Sequence, residues 1–138
     1  MSSLNQCFFC DSSHSAFAAA QLEEGMDLVD AVRRDPAAAA ISPKLHALLV
    51  IAAAVQRGGL HVTAALVDAA RAEGATDLEI HDTVLIAAAF CMYNRYVDGL
   101  ATWAPTDVAA YEQMGRRIVE DGYRSAVVAT VNQTSSRN

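Results

Sequence analysis

Apolar and polar positions along the chain follow a helical period up to about residue 122. Met26, Val29 and Val32 recur at three-residue intervals, and the pair Ser42-Pro43 combines an N-cap with a first-turn proline. No Asn-Gly or similar hairpin signal separates alternating runs. The pattern therefore predicts an all-α protein.

Caps and breakers divide this pattern into about six predicted helices, with Asn5 available to cap the first and Gly25 to end it. Thr76 and Glu79 form the capping box that opens the longest of them. The predicted helices span residues 7–22, 26–34, 43–56, 64–73, 77–98 and 105–120. We expect one helical domain over residues 1–123, followed by a polar, partly flexible C-terminal tail over 124–138.

The composition refines this picture. In a chain of 138 residues, 53% are hydrophobic and 19% are charged, and alanine makes up much of the apolar content. This length predicts one compact domain. Its apolar helical faces exceed what a small monomer buries, so we expect a homo-oligomer, for example a dimer, trimer or hexamer.

Charge and hydropathy exclude several classes of partner. The net charge is -6 and no basic run exceeds a pair of arginines, which argues against nucleic acid as a partner. The apolar run over residues 45–55 is too short to cross a membrane, and no leader pattern opens the chain. Three cysteines without an export signal favour reduced thiols, so we expect a cytoplasmic protein.

Three reactive side chains lie close together near the N-terminus: Cys7, Cys10 and His14. On a helix, residues three and four apart share one face, so the three side chains are predicted to stack along the first turns. The positive end of the helix dipole favours a thiolate there, which would activate Cys7 or Cys10. The two thiols could close a disulfide and His14 could transfer a proton, which indicates thiol-disulfide redox chemistry.

Two other interpretations of the motif stay open. Free cysteines also occur as small buried hydrophobic residues, so the pair could be purely structural. A zinc site would use the two cysteines and His14, but it needs a fourth ligand, which only folding could supply. The candidates for that ligand are His46, His61, His81 and Cys91.

The arrangement Cys7-x-x-Cys10-x-x-x-His14 resembles the active-site signature of the AhpD-like and carboxymuconolactone decarboxylase superfamily, in particular its peroxidase-related branch. The resemblance extends over residues 5–123. It is carried by Asn5-Gln6-Cys7, Arg33-Arg34-Asp35-Pro36, Gly74, Glu79-Ile80, Phe90-x-x-x-Asn94-Arg95-x-x-Asp98-Gly99, Gly115-Arg116-Arg117 and Gly122-Tyr123.

The resemblance implies a compact AhpD-like helical bundle that forms oligomers. It also implies that Cys10 is the peroxide-reactive thiol, Cys7 its resolving partner and His14 the proton-relay residue. Members of the family usually carry a glutamate on a preceding helix, about a dozen residues before the first cysteine. Only six residues precede Cys7 here. We therefore expect another residue or a neighbouring subunit to compensate, or the activity to be lost or changed.

A polar cluster late in the fifth predicted helix contains Asn94, Arg95 and Asp98. Burial of such groups requires paired hydrogen bonds, so an ion pair between Arg95 and Asp98 is expected to fix helix packing. Cys91 lies in the same apolar run and is predicted to be a buried structural thiol. Trp103 and Tyr111 flank the turn at Pro105 and are expected to pack the last helix.

The leading hypothesis is a thiol-dependent antioxidant enzyme, an alkylhydroperoxidase-like peroxidase or disulfide reductase that acts through Cys7, Cys10 and His14. It would reduce small-molecule hydroperoxides or disulfides with electrons from an external thiol, and it would need no cofactor or metal. A second hypothesis is acid-base chemistry on a lactone or carbonyl substrate, with His14 acting and the thiols silent. A third is a non-catalytic oligomeric binding protein.

Overall fold

The computed structural model describes residues 1–122, which form six α-helices and one short 3₁₀ turn without any strand. The helices are α1 (Phe8–Ala19), α2 (Gly25–Arg34), α3 (Pro43–Arg57), α4 (Ala64–Ala72), α5 (Asp77–Gly99) and α6 (Val108–Asp121), and the 3₁₀ turn is Gly59–His61. The all-α prediction is confirmed. The predicted tail over 124–138 lies outside the described residues.

Local hydrogen bonds set the starts of three helices. The Ser42 hydroxyl accepts from the Leu45 amide at 3.1 Å at the start of α3. Thr76 and Glu79 form the predicted capping box at the start of α5. The Asp107 carboxylate accepts from the Ala109 amide at 3.0 Å, so α6 begins three residues after the predicted start at residue 105.

The first helix is shorter than predicted at both ends. Cys7 has extended backbone angles and occupies the N-cap position, so α1 begins at Phe8. Asn5 does not cap the helix, because its side-chain amide is used in contacts with α5. At the other end, Gly25 takes a φ of +60° as the first residue of α2 instead of terminating α1.

The main apolar core lies between α3, α4 and α5. Ile51, Ala70, Ala75 and Ile80 are buried at its centre, and larger side chains of the three helices surround them. At the start of α3, the Lys44 ammonium group lies 2.6 Å from the Glu79 carboxylate at the start of α5. This pairing of α3 with α5 provides one wall of the site described below.

A second contact joins α1 to α6 through small residues. A Cβ atom on Gly115 would lie 2.8 Å from the carbonyl oxygen of Ala16, so only glycine permits this close approach. Tyr111 is buried beside it, and its hydroxyl donates to the Pro105 carbonyl at 2.8 Å. This packing uses one face of α1 and leaves the face that carries Cys10 and His14 directed toward α3 and α5.

No helix among residues 1–122 is both long enough and apolar enough to span a membrane.

Candidate functional site

The structure places Cys10 and His14 on the wall of one cavity of about 400 Å³. They lie four residues apart on α1, one turn of the helix, and so share one face as the spacing predicts. Only 4% of the Cys10 surface is exposed to solvent. The thiol is therefore enclosed by the protein but borders a space of the size that small-molecule ligands occupy.

The walls of this cavity are mostly apolar. They are formed by side chains of α3 and α5 and by part of α1, in particular Ala18, Leu45, Leu48, Leu49, Ala52, Ile86, Ala87 and Phe90. Residues 1–3 of the N-terminal segment also line the cavity. At one side, Arg33 of α2 forms an ion pair with Asp11, the residue after Cys10. The cavity thus combines an apolar interior with one polar edge.

The His14 ring is oriented by contacts within α1. Its Nδ1 atom lies 3.0 Å from the Cys10 carbonyl oxygen and 3.2 Å from the Ser13 hydroxyl. Because a carbonyl oxygen can only accept a hydrogen bond, Nδ1 carries the proton in this contact. In the neutral ring, Nε2 is then the nitrogen that can take up a proton.

Aromatic neighbours determine the electrostatics of His14. The ring lies 5.1 Å from that of Phe17 and 4.7 Å from that of Phe90, the latter edge-on. Burial among these groups lowers the pKa of His14, and the hydrogen bond to the Cys10 carbonyl opposes this in part. The neutral ring is therefore favoured at physiological pH, as a proton acceptor requires.

Cys7 lies in different surroundings from Cys10. It has no exposed surface and is not among the residues that line the cavity. Both thiols are reduced. Burial, followed by the hydrogen bond with Cys10, raises the pKa of Cys7 to about 12. Burial thus disfavours a thiolate at Cys7, and the prediction that one of the two thiols is activated stays a prediction for Cys10.

A polar network anchors the segment that leads into Cys7. Asn94 of α5 has no exposed surface; its side-chain amide donates to the Ser2 hydroxyl at 3.1 Å. The Asn5 amide in turn donates to the Asn94 oxygen at 2.8 Å. The backbone amide of Cys7 donates to the Ser2 carbonyl at 3.1 Å. These bonds hold residues 1–7 across α5 and cover Cys7.

Three predictions outside the motif have different outcomes. The Arg95 guanidinium donates to the Cys91 carbonyl at 2.6 Å and, within residues 1–122, makes no ion pair with Asp98, so the expected Arg95–Asp98 pair is wrong. Cys91 is half-buried and accepts a hydrogen bond from Asn5 at 3.7 Å. Tyr111 is buried, but Trp103 is 80% exposed, so the prediction that both residues pack the last helix is wrong for Trp103.

The metal interpretation gains no geometric support. Within residues 1–122, no group of three or more histidine, cysteine or acidic side chains is arranged to hold a metal ion. Two of the candidates for a fourth ligand, His61 and His81, are exposed on other helices or turns.

Several site residues were not identified from the sequence. The α3 side chains on the cavity wall form an ordinary apolar helix face in the sequence, so nothing about them indicated a site. The Arg33–Asp11 pair joins two residues far apart in sequence and follows only from the packing of α2 on α1.

Comparison with known proteins yields no match to this chain among protein-family models, curated proteins or solved structures.

Proposed function

We propose that this protein is a thiol-dependent oxidoreductase that reduces hydroperoxides or disulfides, with Cys10 as the attacking thiol and Cys7 as the resolving thiol. One observation carries the proposal: Cys10 and His14 border the same cavity, while Cys7 lies sealed beside Cys10. This arrangement separates a sulfur that substrate can reach from one that only its neighbour can reach. The proposal includes membership of the peroxidase-related branch of the AhpD-like superfamily, which rests on the sequence resemblance.

The reaction with a hydroperoxide has two steps. In the first, the Cys10 sulfur attacks the terminal peroxide oxygen and the O–O bond breaks; the thiol proton passes to the leaving alkoxide through His14, giving an alcohol and a Cys10 sulfenic acid. In the second, the Cys7 sulfur attacks Cys10, a disulfide forms, and water leaves. An external dithiol then reduces the disulfide and is itself oxidised.

The cavity favours a substrate with an apolar body. Its wall is built mainly from leucine, isoleucine, alanine and phenylalanine side chains of α3 and α5. Transfer of an apolar ligand from water to such a surface lowers the free energy, whereas binding of a small polar ligand lowers it little. We therefore propose that organic hydroperoxides or disulfides are preferred to hydrogen peroxide.

The alternative acid-base function also has one observation in its favour. The lowered pKa of His14 supplies a neutral base on the wall of the same cavity, whatever the thiols do. Such a base could act on a lactone or carbonyl substrate. Activity that survives the replacement of both cysteines but is lost in His14→Ala would select this function.

We also propose that the protein is a homo-oligomer that assembles through the outer face of α5. Two adjoining stripes of this face, outside the cavity wall, carry large apolar side chains that are more than half exposed: Leu85, Met92 and Tyr96 on one, and Tyr93 and Leu100 on the other. Tyrosine and methionine are enriched in subunit interfaces. Sedimentation should give a mass above that of one chain, and Met92→Glu should shift it downward. A reducing compartment such as the cytoplasm fits the three free thiols.

The thiol proposal is tested with reduced protein and an organic hydroperoxide such as cumene hydroperoxide. We expect Cys10→Ser to abolish peroxide consumption and Cys7→Ser to allow one turnover that stops at the sulfenic acid. Cys91→Ser is the matched control, because it removes a cysteine outside the motif, and should consume peroxide at the wild-type rate. Unchanged consumption in Cys10→Ser would contradict the proposal, and a wild-type protein without any turnover would favour a binding protein.

A further inference from the structure

The polar edge of the cavity is built from one ion pair. Of the side chains that line the cavity within residues 1–122, Asp11 of α1 and Arg33 of α2 are the two that carry a full charge at neutral pH, and they pair with each other. Asp11 directly follows Cys10 in the first turn of α1. The peroxide chemistry proposed above uses neither Asp11 nor Arg33.

The Arg33 guanidinium is engaged on two sides. One of its terminal nitrogens donates to the Asp11 carboxylate, and the other donates to Asp30 of its own helix at 2.9 Å. The Asp30 side chain is 47% exposed and lies off the cavity wall, whereas that of Asp11 is 20% exposed and forms part of the wall. Asp11 is therefore the partner of Arg33 on the cavity side.

Few other contacts hold Arg33 at this edge. In the described part of the chain, α2 packs on α1 and on no other helix, and none of its residues is buried. Val29, one turn before Arg33, lines the same cavity, so this face of α2 presents an apolar side chain followed by the guanidinium. The ion pair with Asp11 ties α2 to α1 and occupies the guanidinium where a ligand would meet it.

We infer that Asp11 makes the cavity selective for uncharged organic hydroperoxides, because it occupies the arginine that would otherwise bind a carboxylate on the substrate. This inference rests on the proposed function and names the charge class of its substrate. A free guanidinium binds a carboxylate through two parallel hydrogen bonds. With Asp11 in place, a carboxylate in the cavity would be repelled by Asp11 and would lose its hydration to apolar walls without gaining an unoccupied arginine.

The test compares cumene hydroperoxide with its para-carboxylate derivative, which differs by one charge and reacts by the same chemistry. The ratio of the two kcat/KM values isolates the charge preference, since a change in Cys10 reactivity affects both substrates alike. We expect the wild-type protein to prefer the uncharged peroxide at least about tenfold. Asp11→Asn, which keeps the size of the side chain and removes its charge, should reduce that preference about fivefold, the size of one partly exposed ion pair.

Two further variants separate this effect from a general change of structure. The double variant Asp11→Asn with Arg33→Gln should return to a strong preference for the uncharged peroxide, because the released guanidinium is then absent. A cavity that had merely become wetter in Asp11→Asn would keep its reduced preference in the double variant, which would contradict the role of Arg33. Asp27→Asn is the matched control, since Asp27 is exposed on α2 and lies off the cavity wall, and it should keep the wild-type ratio.

Binding of unreactive ligands separates failure of the inference from failure of the proposed function. Calorimetric titration with octanol and octanoate should show the same preference for the uncharged ligand, and Asp11→Asn should reduce it. Equal kcat/KM ratios in wild type and Asp11→Asn would overturn the inference and leave the proposed function standing. A wild-type protein that consumes neither peroxide would overturn the proposed function, and equal effects of Asp11→Asn on octanol and octanoate binding would then overturn the inference as well.

Discussion

The two cysteines of the motif are three residues apart in sequence but lie in opposite kinds of surroundings. Cys10 and His14 border an apolar cavity between α1, α3 and α5. Cys7 is sealed beneath the N-terminal segment, which Asn94 holds by hydrogen bonds to Ser2 and Asn5. One side of the motif is apolar and open to a ligand, whereas the other is polar and closed.

This difference shows how a fold can assign unlike roles to two identical side chains. Cys7 is the N-cap of α1 and Cys10 lies in its first turn, so both thiols are at the same end of the helix and its terminus alone does not distinguish them. The distinction comes from what packs on each side. The apolar faces of α3 and α5 lie across the cavity from Cys10. The segment over residues 1–6, which is hydrogen-bonded to α5, covers Cys7.

The largest effect is expected from replacing Asn94, which anchors the N-terminal segment that covers Cys7. Asn94→Ala deletes a buried amide and leaves the Ser2 hydroxyl and the Asn5 amide without this partner. We expect the free energy of unfolding to fall by about 2–4 kcal/mol in urea titrations, since each unpaired buried polar group costs about 1–3 kcal/mol. Alkylation of Cys7 in the native protein should accelerate as the segment loosens.

The neighbouring variant Arg95→Ala provides the control, because its side chain is exposed and bonds only to the Cys91 carbonyl among the hydrogen bonds described for it. It should change stability by no more than about 0.5 kcal/mol. A stable Asn94→Ala protein with Cys7 still protected would show that other contacts close this side.

A smaller effect is expected in the relative labelling of the two thiols. With N-phenylmaleimide at pH 8, native Cys10 should react at least about tenfold faster than Cys7, since access and thiolate content govern alkylation. Because the pKa of Cys7 is raised to about 12, its thiolate fraction should stay low as the pH rises from 8 to 10. Peptide mapping after timed alkylation measures both rates.

Filling the cavity tests the open side separately. Ala52→Leu adds bulk to the cavity wall and should slow the labelling of Cys10 alone, whereas Ala53→Leu, at a neighbouring position outside the wall, should not. Equal labelling of the two cysteines in the wild-type protein would remove the basis of the comparison.

The helices themselves could be predicted from sequence because their signals are local. The capping box of Thr76 and Glu79 and the Ser42 cap operate within one helical turn, and the structure contains both. The start of the first helix was predicted wrongly. Asn5 is a good cap residue by type, but its side chain is hydrogen-bonded to Asn94, eighty-nine residues further along the chain. A tertiary hydrogen bond overrode the local preference.

The site was predictable only in part for the same reason. The shared face of Cys10 and His14 follows from their spacing on one helix. The contrast between Cys10 and Cys7 depends on contacts between distant segments, in particular those of Ser2 and Asn5 with Asn94, which no spacing rule reveals. Arg95 was expected to pair with Asp98, but it is exposed and donates a hydrogen bond to a carbonyl of its own helix.

The smallest expected effect concerns the titration of His14 on the open side. Its pKa is lowered mainly by burial, so its carbon-bound ring proton should titrate in NMR with a midpoint below the ordinary value of 6.5. The unfolded chain then binds a proton at a pH where the native ring does not, so this contribution to stability is lost as the pH falls below 6.5. Phe90→Ala removes the edge-on ring at 4.7 Å and should raise the midpoint as water enters. Phe9→Ala removes an aromatic ring that contacts Tyr111 instead, and should leave the midpoint in place. A wild-type midpoint at or above 6.5 would mean that the His14 ring is hydrated and that the cavity beside Cys10 is wetter than its apolar walls imply.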